Sequence, residues 1–321
     1  MKISPTGLAK PSIAWKTVPS MELMKHQGSN GTQRALIAGY GYVGSVVGSL
    51  LAQSGIEVVA VSRTMPGFLL RHPNPNVHWF PADLTCKDSL SGLKGQFDYV
   101  LFSASSSRGG AEDYQHVYGS GLENVMTLLE GRLAGSFVYL SSTGVYGQND
   151  GGWVDETMPT EPKSDTGKIL VQAEQSLIDR HQVSDFPGMI LRLSGIYGPG
   201  RGYALKRIQQ GNAVIESPGD RWVNMIHRED AASAVIAAFK KGSPGEVYNI
   251  TDDTPVQQKD FYEWLANECG KPVPDIVDDD PRKPTKRRVT SKRISNRKLK
   301  QLGIFELKYP SYREGYPDLM K

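Results

Sequence analysis

From Arg34 onward, short β-rich apolar runs alternate with stretches of helical character, and this rhythm constrains the fold more than any other feature. Ala35–Ala38, Glu57–Ser62, Val77–Phe80, Tyr99–Phe102, Phe137–Leu140 and Met189–Leu193 read as strands. Tyr42–Ser54, Glu112–Leu129 and Ile169–Arg180 read as the helices between them. The strands are continuous apolar runs without polar alternation, as expected when both faces are covered. Strand–helix–strand repetition implies parallel strands joined by right-handed crossovers. The expected fold class is α/β, a doubly wound parallel sheet. After Gly198 the rhythm loosens. Helical pieces at Tyr203–Gln210, Asp230–Lys240 and Gln258–Glu268 alternate with short strands at Ala213–Ile215, Val223–Ile226 and Val247–Ile250. These predict a smaller C-terminal substrate lobe. The expected division is 1–33 as an N-terminal extension, 34–197 as the sheet domain and 198–321 as the lobe and tail, interleaved with the sheet.

Composition removes several classes. With 39% hydrophobic and 22% charged residues, the chain is neither disordered throughout nor fibrous. The longest candidate apolar run, Ala231–Phe239, is far below the roughly 18–20 residues of a membrane span. A net charge of +3 gives no argument for a nucleic-acid partner. Cys86 and Cys269 sit in no CxxC pair and near no His cluster, which argues against a thiolate metal site and fits a reducing compartment such as the cytoplasm. Residues 1–33 lack periodicity and an apolar signal core. They read as a tail, with Met21 and Met24 as later starts, or as an organellar transit segment. The basic run Arg282–Arg288 follows Asp278–Asp280, whose charge offsets it, and reads as a solvated loop.

Gly39-Tyr40-Gly41-Tyr42-Val43-Gly44 is GxGxxG, placed directly after a predicted strand and opening a predicted helix. Gly39 permits a tight turn, Gly41 lets backbone approach a pyrophosphate, and Gly44 allows close helix–strand packing. The helix start, with Tyr42 and Val43, offers free N–H groups to the phosphates. At the end of the second strand stands Ser62-Arg63-Thr64, with no carboxylate to repel a 2′-phosphate. Arg63 can pair with that phosphate, which favours NADP, with NAD as the other possibility. Asp83 either accepts from an adenine amino group or caps the helix beginning near Asp88.

These residues resemble the extended short-chain dehydrogenase/reductase superfamily of the NAD-dependent epimerase/dehydratase type. Its landmarks run in order from about Arg34 to Asp252: GYGYVG at 39–44, Asp83-Leu84, Phe102-Ser103-Ala104, Leu140–Gly147 (LSSTGVYG), Gly167-Lys168 with Glu174 beyond, Leu191–Arg201 (LRLSGIYGPGR) and Ile226–Asp230 (IHRED). The resemblance implies a Rossmann sheet, Ser103 beside the cofactor, and a small polar, sugar-like or nucleotide-linked substrate. It also implies homodimers through helices near 112–129 and 168–181. It gives Ser142 the substrate oxygen and Lys168 the nicotinamide ribose.

The resemblance also exposes a gap. The family's acid–base group is the Tyr of Tyr-x-x-x-Lys, and four residues before Lys168 stands Ser164. A Ser hydroxyl cannot be tuned toward neutrality by one ammonium as a phenol can. Tyr118 stands where the family's helix Asn is expected. Three readings follow. In the first, catalysis uses Ser142, Lys168 and another acid–base group: Tyr118 first, with Tyr146, Asp165 or Lys168 itself as alternatives. In the second, the protein binds NADP and a ligand with little catalysis, as a redox sensor or regulatory partner. In the third, the fold is a structural subunit. For an anionic substrate group the candidates are Arg201 and Arg221, then Arg287 or Arg288. Arg192 reads as structural, His227 as lobe-organising and Asp230 as the cap of the helix after it.

Overall fold

The computed structural model describes residues 32–106, 110–278, 290–303 and 305–321. The stretch before residue 32 and the basic run 282–288, with Arg287 and Arg288, lie outside the described residues. Seven strands form one parallel sheet in the spatial order 247–250, 188–193, 133–142, 97–102, 34–38, 57–62, 77–81. The order reverses direction at the neighbours Arg34–Ala38 and Phe97–Phe102, so a crevice opens beyond their carboxyl ends.

Side chains along the first strand alternate between two apolar layers. Ala35 and Ile37 face helices Gly44–Gln53 and Arg228–Lys241. Leu36 and Ala38 face the layer holding Leu122–Leu128 and Asp165–Ser184. Leu36 and Ile37 are buried on opposite sides, each stabilising the fold by about 1.5–3 kcal/mol. A third cluster, with Leu205, Ile208, Ile215, Phe261, Leu265, Tyr312 and Tyr316, is the core of the smaller lobe.

Several expectations shift. Val247–Ile250, read with the lobe, instead completes the main sheet beside Gly188–Leu193. The single helix expected at Glu112–Leu129 is Ala111–Tyr114, a π-helical segment Gln115–Gly121 and Leu122–Leu128 in succession. Val223–Ile226 divides into Trp222–Val223 and Met225–His227, which pair with different partners. The C-terminal helix Tyr312–Met320 had no counterpart in the sequence reading. It starts with a capping box between Ser311 and Glu314, and the stacked rings of Tyr316 and Tyr197 hold it to the lobe. Among the described residues no helix is long and apolar enough to cross a membrane.

Candidate functional site

The glycine loop is built by close backbone contacts. The N–H groups of Gly39 and Tyr40 both donate to Val61 O, at 3.0 and 3.1 Å. Gly39 has φ +102°, and a Cβ there would lie 2.3 Å from Ala104 N. A Cβ on Gly44 would lie 2.4 Å from Gly39 O and 2.6 Å from Ser103 Oγ, which itself donates to Gly39 O at 2.8 Å. Gly41 differs: a Cβ there would meet nothing within 4 Å, and the residue borders a cleft of about 430 Å³. The two outer glycines are required by the protein's own packing, and the middle one leaves space free.

Along the rest of that cleft lie Ser62, Arg63, Thr64, Asp83 and Ser103–Ser106. Ser62 accepts from Trp79 Nε1 and donates to Thr64 O, so its hydroxyl is already engaged. Arg63 is exposed and makes no hydrogen bond or ion pair among the described residues. Asp83 does not cap the turn after Cys86. Its Oδ1 takes the N–H and hydroxyl of Thr85, at 3.0 and 2.8 Å. Burial opposes ionisation there, but the two Thr85 bonds and the charge of Arg63 outweigh it and hold the carboxyl below its ordinary range. Asp113, His116 and Val117 also line the cleft, and the sequence reading missed them. Their i, i+3, i+4 spacing marks a single helix face.

Tyr118 is 9% exposed, packs against Tyr114 and Tyr139, and is not among the residues lining the cleft. Burial first, then the neighbouring Tyr114, push its phenol to about 12, against a backbone bond with Ser106 at the cleft's edge.

The expected catalytic residues Ser142 and Lys168 lie outside the lining of that cleft; Ser142 Oγ accepts from Gly144 N at 3.1 Å and closes a short turn. Ser164 is the N-cap of helix Asp165–Ser184, accepting from Gly167 N at 3.1 Å. Lys168 is largely exposed and pairs with Asp165 at 3.3 Å. Beneath these residues lies a buried network. Arg192 donates to both oxygens of Glu174, the shortest contact being 2.6 Å, and to Tyr146 Oη at 2.8 Å. Ser141 donates to Glu174 at 2.5 Å, and Tyr146 donates to Asn249 Oδ1 at 2.9 Å. Tyr146 is therefore fully engaged in the scaffold.

Arg201 is exposed beside the ring of Tyr42, and Arg221 is paired with Glu216 at 3.5 Å. His227, not Asp230, caps helix Arg228–Lys241, through Nδ1 accepting from Glu229 N at 3.3 Å. Burial pushes the His227 imidazole down to about 4. Asp230 instead takes the N–H groups of Lys308 and Tyr309, at 2.8 and 3.0 Å, and ties the C-terminal segment to the helix start. Burial raises its carboxyl to about 6 despite those bonds. Among the described residues no cluster of His, Cys, Asp and Glu could hold a metal ion.

The comparisons with known proteins agree with this architecture. The chain is 29% identical to Protein YeeZ of Escherichia coli K12 over 233 residues, 71% of this chain and 77% of that one. It is 30% identical to dTDP-D-glucose 4,6-dehydratase of Homo sapiens over 145 residues, 43% of this chain and 41% of that one. The solved structure of a conserved protein of unknown function from Silicibacter pomeroyi superposes with a TM-score of 0.73 at 31% identity, covering 90% of this chain and 98% of the other. The profile of the NAD dependent epimerase/dehydratase family matches residues 35–251, and the chain belongs to that family.

Proposed function

We propose that this protein is an NAD(P)-dependent oxidoreductase, epimerase- or dehydratase-like in its chemistry, that prefers NADP and acts on a small polar, sugar-like substrate. The observation that carries the reading is the free space at Gly41, on a cleft shared with Arg63, which has no ion pair among the described residues. A diphosphate needs close backbone approach of this kind, and a 2′-phosphate needs an uncommitted guanidinium. Gly39, Gly41, Tyr42, Val43 and Gly44 would hold the diphosphate. Arg63, with Ser62, would meet the adenosine 2′ position, Asp83 the adenine, and Ser103 the loop beneath. When bound, the cofactor supplies reversible hydride transfer at its nicotinamide ring.

The chain's own residues divide the remaining work. Ser142 would orient the reacting substrate oxygen. Lys168 would hold the nicotinamide ribose once its exposed pair with Asp165 opens; such a pair is worth about 1 kcal/mol or less. Arg201 and Arg221 would meet an anionic end of the substrate, Arg221 after leaving Glu216. The sugar-like substrate is supported by relatives named as dTDP-glucose dehydratases. Two copies would pair through the helices at 111–128 and 165–184, in the cytoplasm, with no nucleic acid or membrane as partner.

A second reading, an NADP-binding protein with little or no catalysis, is favoured by Ser164 acting as a helix cap where the family has its Tyr, and by the inward Tyr118.

Calorimetry with the four pyridine nucleotides tests the first step. NADP and NADPH should bind more tightly than NAD and NADH, and Arg63→Glu should reverse the order. Flat heats with all four nucleotides overturn the reading, and an unchanged preference in Arg63→Glu removes the NADP assignment. Turnover screened in wild type, Lys168→Ala and Tyr118→Phe separates the enzyme from the sensor. Activity lost in Lys168→Ala supports the enzyme, and binding without turnover supports the sensor.

A further inference from the structure

We propose that Arg201 and Arg228, braced on the ring of Tyr42, form a binding site for a phosphate or diphosphate group on the flank of the glycine loop that meets Gly198–Arg201. The guanidinium carbon of Arg228 lies 4.9 Å from the Tyr42 ring centre, and that of Arg201 lies 5.3 Å from it. Two like charges gathered on one ring repel each other. Among the described residues neither guanidinium has a hydrogen bond or a carboxylate partner. Glu229, next in sequence, is taken by Lys308 at 2.6 Å, and Asp230 by two backbone N–H groups. Several other arginines are paired: Arg192 with Glu174, Arg180 with Glu123 and Glu130, Arg34 with Glu57. Arg228 Nε is shielded from solvent and has no acceptor. An incoming oxyanion would give that donor the acceptor it lacks.

The surroundings hold the pair in place and add to its sign. Tyr42 Oη donates to Pro199 O at 3.2 Å, fixing the loop that carries Arg201. Gly198 has φ +147°, and a Cβ there would lie 2.9 Å from Tyr42 Oη and 3.1 Å from Arg228 Cβ, so loop and ring are in close contact. Helices Gly44–Gln53 and Arg228–Lys241 both begin at this point, the first without a side-chain cap, so their N–H groups contribute further positive potential. Planar guanidinium forks match the oxygens of a phosphate. Tyr42, Arg201 and Arg228 lie outside the lining of the cleft that holds Arg63 and Asp83. This site extends the reading of Arg201 given above and adds Arg228, which that reading lacked. It rests on that reading only for its place beside a bound dinucleotide.

The test is calorimetry with inorganic pyrophosphate on wild type, Arg201→Gln, Arg228→Gln and the double variant, with and without saturating NADP, alongside thermal melts. Wild type should bind. Each single variant should bind at least about tenfold more weakly, and the double variant weaker still, with melting temperatures unchanged. If a variant melts early, Tyr42→Leu, which keeps both charges and removes their brace, should weaken pyrophosphate binding by a smaller factor. Pyrophosphate binding that survives saturating NADP assigns the site to a second molecule. Binding abolished by NADP, with NADP affinity falling in the same variants, assigns it to the cofactor's own diphosphate. Flat heats in wild type, or equal affinity in the double variant, overturn the proposal. Arginine-dependent pyrophosphate binding with no dinucleotide binding would support this site and sink the reading of Gly41 and Arg63.

Discussion

Gly39, Gly41 and Arg63 lie on the cleft, with space at the middle glycine and a guanidinium that has no hydrogen bond or ion pair among the described residues. Ser142, Ser164 and Lys168 lie outside the cleft's lining and have put their polar atoms to internal use: one hydroxyl closes a turn, one caps a helix, and the amine pairs with its own helix. On the reading proposed above, the first region receives the ligand and the second is held as a scaffold above the Glu174–Arg192 network. The two regions depend on different contacts, so one can change while the other is kept.

The largest effect should come from the network beside Ser142. Glu174→Leu leaves Arg192 buried and unpaired and should cost about 3–5 kcal/mol in denaturant unfolding. A loss under about 1 kcal/mol would mean that the network is not the scaffold described. Next comes acid. His227 is held neutral, so the unfolded chain takes up its proton first as pH falls from about 6.5 toward 4, and stability drops. Asp230 works in the opposite sense. Its raised folded value lets the folded chain protonate first below about 6, which adds stability down to the ordinary aspartate range. In the wild type the two largely offset each other. His227→Gln should therefore gain stability between pH 6 and 4 relative to wild type, on the order of 2 kcal/mol. Parallel stability–pH curves would refute this.

A contrast between glycines sharpens the comparison further. Gly41→Val should leave stability within about 0.5 kcal/mol while weakening NADP binding at least about tenfold, whereas Gly39→Ala should lower both. Smallest is Ser164→Ala, which removes a helix cap and should cost about 1 kcal/mol. A marked loss of turnover with unchanged stability would show instead that this hydroxyl takes part in chemistry.

The sheet was legible because each strand is a short apolar run and each crossover has a helical period; Gln258–Glu268 and Val247–Ile250 fall where the residues predicted them. Assigning Val247–Ile250 to the lobe failed because a four-residue strand carries no mark of which sheet it joins. The glycine loop was legible because its constraints are local. The burial of Tyr118 was not legible because the choice between core and cleft depends on helix phase, and the π-helical turn changes that phase within the segment itself. Arg228 was passed over because its neighbours on Tyr42 and Pro199 are far away in sequence. Asp230 looked like a cap because it follows His227 closely; its real partners, Lys308 and Tyr309, are 78 and 79 residues away.

Val247–Ile250 lies directly beside Gly188–Leu193, with Leu193 opposite Ile250 and the N–H of Ser194 bonded to Ile250 O at 3.0 Å. The chain leaves the sheet for the lobe at both of these adjoining points. Both departure points thus belong to one paired rim of the sheet. A shift of register between these two strands would displace both exits together.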